Sequence, residues 1–147
     1  MSNKLTDILS QIKHQEFATR TGREIHKRMQ HIVISSEQTS GDADLAAKIS
    51  QNPKLARFFG PNAKTEVPIA GIVNNRFISR RLDRLVVAPE QKQVYVLDYK
   101  SDTDKTALFD KYVAQINEYK SLLRDIYPGY QIMGYILWLH DFELQEI

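Results

Sequence analysis

The chain has 147 residues, 42% hydrophobic and 26% charged, with a formal net charge of +2; that predicts one globular domain, and the weak overall charge leaves any polyanion to be recognised by a local patch. Cysteine is absent, which excludes disulfides, zinc–thiolate sites and cysteine-ligated iron–sulfur clusters. No stretch approaches the roughly 18 consecutive apolar residues of a membrane span, and Met1-Ser2-Asn3-Lys4 begins no signal-peptide apolar region, so the sequence predicts no membrane partner and a cytoplasmic setting.

Leu5, Ile8, Leu9 and Ile12 recur at helical spacing, predicting a peripheral helix or linker remnant within residues 1–15 and a main domain over 16–147. A second helical run opens at Thr21-Gly22-Arg23-Glu24 and carries Ile25, Met29, Ile32 and Val33, with His26 one residue from that stripe. Ser35 to Asp42 is polar and reads as a loop, and Asp44 to Phe59 as one or two short helices broken near Pro53. The texture then changes. Lys64–Ile69, Phe77–Val87 and Gln93–Lys100 read as strands joined at Asn74-Asn75 and Pro89-Glu90, an antiparallel meander. Strict alternation puts Leu85 and Val87 on one face and Leu82 and Val86 on the other, so both faces of the sheet need cover. Asp104 to Ile126 is the clearest helix, with Val113, Ile116, Tyr119, Leu122, Leu123 and Ile126 as its buried stripe, and Tyr127-Pro128-Gly129 ends it. Gln131–Leu139 is a strongly apolar strand and Phe142–Ile147 a short edge partner. The order predicts an α/β fold, a three-layer α/β/α unit around a mixed sheet.

The chemistry concentrates at the end of the third strand. Val94, Val96, Asp98 and Lys100 share one face, and Tyr95, Leu97 and Tyr99 the other. A hairpin centred between Glu90 and Gln91 sets Asp83 opposite Asp98, roughly 5 Å away. Like charges so placed destabilise a sheet and call for a cation. Two carboxylates beside a lysine suit Mg²⁺ or Mn²⁺; the plain alternative is that Asp98 pairs with Arg84 or caps a turn through Ser101. Two basic clusters, Arg20, Arg23, Lys27 and Arg28, then Arg76, Arg80, Arg81 and Arg84, are either nucleic-acid contacts or solvated faces. Gly60-Pro61-Asn62-Ala63-Lys64-Thr65 mimics the end of a phosphate-binding loop, but Ala63 and Phe58 stand where glycines are needed, so it predicts a turn and no nucleotide site.

Five elements occur in order: Gly22-x-x-x-His26, Glu66-Val67-Pro68, Leu82-Asp83-Arg84-Leu85, Asp98-Tyr99-Lys100 and Gln115-x-x-x-Tyr119. Together they resemble the nuclease domain of the RecB/AddA group of the PD-(D/E)xK nuclease superfamily, from Gly22 almost to the C-terminus. The lack of cysteine favours that group over AddB-like and CRISPR-adaptation nucleases, which carry an iron–sulfur cluster. The resemblance implies a restriction-endonuclease-like core and a metal-dependent, exonuclease-like deoxyribonuclease acting on single-stranded DNA in recombinational double-strand-break repair. It also implies a helicase motor and an AddB-like subunit as partners. By the same likeness, Asp83, Asp98, the Tyr99 carbonyl and His26 hold Mg²⁺ or Mn²⁺. Lys100 orients the attacking water and offsets transition-state charge, while Gln115 and Tyr119 assist. Arg20, Arg23, Lys27 and Arg84 would contact the DNA.

Each role has a plain rival. His26 is otherwise a satisfied partial-core histidine, and Gln115 and Tyr119 are otherwise helix packing. Glu66 either supports the metal through a water or pairs with Arg84 or Arg81. Two departures stand out. Arg80 occupies a position that is often glycine in the resembling domains, and nothing here resembles a motor, so the chain reads as an excised domain, a truncated product or a free-standing relative. The competing functions are a non-catalytic DNA-binding or scaffold module and a stand-alone nuclease of the same superfamily.

Overall fold

Ile25 and Met29 ride on a helix, α1, over residues 22–29 of the computed structural model, which describes residues 22–147. The helix expected near residues 5–13, the whole 1–15 segment and Arg20 lie outside the described residues. Val33–Ile34 (β1) and Thr39–Ser40 (β2) form a small antiparallel ribbon. Two short helices follow, α2 (Ala43–Ser50) and α3 (Pro53–Ala56). Asp42 caps the first by accepting from the N–H groups of Asp44 and Leu45, and Asn52 caps the second ahead of a proline in its first turn. A 3₁₀ turn, Arg57–Phe59, completes this layer.

The main sheet begins with β3 (Lys64–Val73) and β4 (Arg76–Ala88), joined by Asn74-Asn75. Both asparagines have positive φ, 52° and 62°, the backbone that a two-residue hairpin with native twist requires and that asparagine tolerates. β5 (Gln93–Lys100) pairs with β4 from Ala88↔Gln93 to Arg84↔Leu97, the register of a hairpin centred between Glu90 and Gln91. A long helix, α4 (Phe109–Ile126), then crosses over and lets β6 (Gln131–Trp138) run parallel to β5. β7 (Glu143–Glu146) closes the edge antiparallel to β6. The result is a mixed five-stranded sheet in the order β3-β4-β5-β6-β7 with helices on both faces. Among the described residues no helix is long and apolar enough to cross a membrane.

Several boundaries differ from expectation for local reasons. α4 starts at Phe109 and not at Asp104, because Asp104 Oδ1 accepts from the N–H groups of Thr106 and Ala107 and makes a turn instead. Ile126, expected in the buried stripe, is the last residue of α4 and 46% exposed. Strict alternation also fails in β4. Leu82 and Leu85 both join the α4-side core, whereas Arg84 reaches the opposite helix layer. The faces invert at Asp83 without loss of register with β3, where Glu66, opposite Asp83, adopts φ 51°.

Arg84 corrects a second expectation. It is 2% exposed, so it presents nothing to DNA and pairs with neither Asp98 nor Glu66. Its guanidinium donates to Met29 O at 2.5 Å, Phe58 O at 3.0 Å and Tyr99 Oη at 2.9 Å, and lies 3.8 Å from the Phe59 ring centre. One side chain thus ties the end of α1, the 3₁₀ turn and β5 together. Replacing Arg84 by Met should cost roughly 3 kcal/mol, because the acceptors it serves are buried and lose a charged donor. Denaturant unfolding measures this, and a loss below about 1 kcal/mol would show that the clamp is not needed.

Candidate metal centre

Beyond Arg84↔Leu97 the β4–β5 ladder ends: β4 continues paired to β3 alone, while β5 continues beside β6 as far as Lys100↔Trp138. The sheet therefore forks. Asp83 and Asp98 face each other across the mouth, one register step past the last pair. Glu66 occupies the matching step on β3, between Thr65↔Arg84 and Val67↔Leu82. Three carboxylates thus stand in a row across three adjacent strands.

His26 approaches this row from α1. A Cβ built on Gly22 would lie 2.5 Å from the Ser101 Cβ, so only glycine lets the start of α1 rest against the residue after β5. One turn later His26 Nε2 is 2.8 Å from Glu66 Oε1 and 3.6 Å from Asp83 Oδ1, with its ring edge-on to Tyr99. His26, Glu66 and Asp83 each offer a donor atom within 4.8 Å of the others. Gln30 adds a hydrogen bond to Glu66 Oε1 at 3.3 Å. Asp83 Oδ2 accepts from the Tyr99 N–H at 2.8 Å.

Asp98 and Lys100 lie on the α4 side. Lys100 Nζ is 2.7 Å from Asp98 Oδ2, but off the hydrogen-bonding direction, and that buried oxygen has no other hydrogen-bond partner among the described residues. The same ammonium donates to Gln115 Oε1 at 2.8 Å, and Gln115 Nε2 donates to Tyr119 Oη at 2.8 Å. Residues 115 and 119 are one turn apart on α4, which makes this relay possible.

The electrostatics express the crowding. Burial first, and then the negative charge of Asp98, push the Asp83 carboxyl up to about 8, against the pull of the Tyr99 N–H. Burial and the charges of Asp98 and Asp83 likewise raise the Tyr119 phenol. A buried carboxylate oxygen met only by the off-line Lys100 ammonium, a carboxylate held above its ordinary range and an imidazole beside them fit a divalent cation. Carboxylate-rich oxygen sites suit Mg²⁺ or Mn²⁺, and the imidazole is compatible with the softer of these.

Of the residues expected from sequence, His26 and Asp83 share the compact group with Glu66, while Asp98, Lys100, Gln115 and Tyr119 form a second cluster on the α4 side, linked to it by the charge that Asp98 places on Asp83. Tyr99 contributes an observed contact through its N–H, whereas sequence reasoning assigned its carbonyl. Arg23 and Lys27 are exposed on α1, and Arg28 is paired with Asp42 at 2.5 Å. Glu66 is closer to the centre than expected. Its position mirrors Asp83 about Asn74-Asn75, the same spacing argument that links Asp83 to Asp98. No protein-family model matches the chain, and no curated protein matches its sequence.

Asp83 makes a pH prediction for the metal-free protein. Its folded-state value lies above its unfolded one, so its contribution is most favourable below about 4 and is lost as pH rises towards about 8. In EDTA, Asp83→Asn should therefore melt above wild type, with a gap that widens across that interval. Mg²⁺ or Mn²⁺ should raise the wild-type melting temperature and leave Asp83→Asn nearly unmoved. A gap independent of pH contradicts this assignment of the strain.

Proposed function

We propose that this chain is a divalent-metal-dependent deoxyribonuclease domain with a restriction-endonuclease-like core, acting on single strands in the manner of the RecB/AddA domains that its motifs resemble. The observation that carries the proposal is the convergence of Asp83, Asp98 and Lys100 at the fork between β4 and β5. Phosphodiester hydrolysis needs a polarised phosphate, an activated water and positive charge for the pentacoordinate transition state.

Asp83 and Asp98, with Glu66 and His26 beside them, are the groups that would hold Mg²⁺ or Mn²⁺. When bound there, the ion would supply Lewis-acid polarisation of a phosphoryl oxygen and lower the pKa of a coordinated water. His26 Nε2 faces Glu66 and is the nitrogen that would ligate. Lys100 brings a fixed ammonium to the same mouth. Its partners Asp98 and Gln115 restrict its rotamers, so its charge is in place before negative charge develops on the phosphate. Gln115 is a positioning residue for Lys100, and Tyr119 holds Gln115. The helicase motor and AddB-like subunit belong to the same proposal and rest on the motifs alone.

Wild type should cleave single-stranded DNA with Mg²⁺ or Mn²⁺ and fall silent in EDTA. Asp98→Ala and Lys100→Ala should each lose about 10²-fold or more. Gln115→Ala should lose less, with its metal-dependent melting shift intact. Circular single strands beside linear ones separate an end-dependent enzyme from an endonuclease. Equal activity in wild type, Asp98→Ala and Lys100→Ala marks a contaminant, and the chain is then a non-catalytic DNA-binding module.

A further inference from the structure

Lys100 lines a second feature besides the carboxylate row. On the α4 side an open cavity of about 390 Å³ lies between β4 and the first half of α4, walled by Arg80, Lys100, Lys111, Tyr112, Gln115 and Glu118. Three cations line it, but Arg80 is paired with Glu118 and Lys100 with Asp98, so among the described residues the uncompensated positive charge is that of exposed Lys111. The Glu118 carboxylate is ion-paired with Arg80: Glu118 Oε1 lies 2.7 Å from Arg80 Nε, off the hydrogen-bonding direction as at Asp98, and the arginine donates to Ser79 O at 3.0 Å. The guanidinium is held at Nε and Nη1, which leaves Nη2, and it remains 43% exposed. The β3–β4 ribbon behind it, residues 67–82, contains Arg76, Arg80 and Arg81 and no Asp or Glu.

We propose that the cavity is a subsite for a nucleic-acid phosphate adjacent to the one at the carboxylate row, on a single strand. Arg80 and Lys111 contact the phosphate, and Glu118 positions Arg80. The inference rests on the nuclease reading for its ligand, because Lys100 belongs to both the row and the cavity and a strand held at one must pass the other. Charge selects a polyanion. Size selects one strand, since the space is that of a small-ligand pocket and lies between a ribbon and a helix. Arginine suits the task, as its planar fork can be held by a carboxylate at one nitrogen and offer another to phosphate oxygens.

The test is binding of a fluorescent oligothymidine in EDTA, where metal-dependent cleavage cannot intervene, across a salt titration. Arg80→Ala and Lys111→Ala should each weaken binding about three- to tenfold and flatten the log–log salt slope by about 0.7, the single-strand value for one lost phosphate contact. Lys111→Arg should restore both. Lys54→Ala, which removes the same charge from exposed α3, should match wild type. If Arg80→Ala and Lys111→Ala behave like Lys54→Ala, or if wild type binds no oligothymidine at low salt, the subsite is disproved. Cleavage with Mg²⁺ by the same proteins reports separately on the nuclease reading, so the two can fail independently.

Discussion

Opposing carboxylates where two strands part are an arrangement that a β-sheet holds only with compensation. Asp83 and Asp98 are in that position, and Glu66 extends the row to a third strand. Tyr99 answers Asp83 with a backbone N–H, and Lys100 answers Asp98 with an ammonium. Neither answer is complete. Burial and mutual repulsion still hold Asp83 up to about 8, and among the described residues one Asp98 oxygen has only the off-line Lys100 ammonium. A site that costs folding energy in this way is a candidate for function, because the same groups would be stabilised by a cation.

The rest of the fold brings partners to the fork. Gly22 lets α1 touch Ser101 and so delivers His26. Arg84 then fixes the far end of α1 and the 3₁₀ turn to Tyr99, which flanks both catalytic candidates of β5. On the other face, a Cβ built on Gly134 would lie 2.4 Å from Ile116 Cγ2, so glycine in β6 permits the close approach of α4. Gln115, the neighbour of Ile116, reaches Lys100 from that position. Packing on each side of the sheet therefore sets one half of the site: His26 from one layer, Gln115 and Tyr119 from the other.

Much of this was legible in the sequence because it depends on period-two alternation and turn chemistry, which are local. The mirrored spacing about Glu90 and Gln91 predicts the β4–β5 register, and β5 runs from Gln93 to Lys100 as expected. The inversion of faces at Asp83 was not legible. It coincides with a left-handed backbone at Glu66, opposite Asp83, that glutamate rarely adopts, and alternation alone assigns Leu82 to the wrong layer. The burial of Arg84 was hidden for the same reason, since an arginine in a basic cluster reads as surface until its acceptors at Met29 and Phe58 are known. Gln30 carried no signal, because its contact with Glu66 spans distant parts of the chain.

The central claim is that His26 and the carboxylate row hold one divalent ion. Electron spin echo spectroscopy of Mn²⁺ added to the protein tests it directly, because a directly coordinated imidazole nitrogen modulates the echo. The account predicts a single bound Mn²⁺ with a nitrogen coupling that His26→Gln abolishes, and loss of tight binding when Asp83 and Asp98 are both changed to Asn. Mn²⁺ that binds equally well to the double variant, or that carries the same nitrogen coupling without His26, would contradict it.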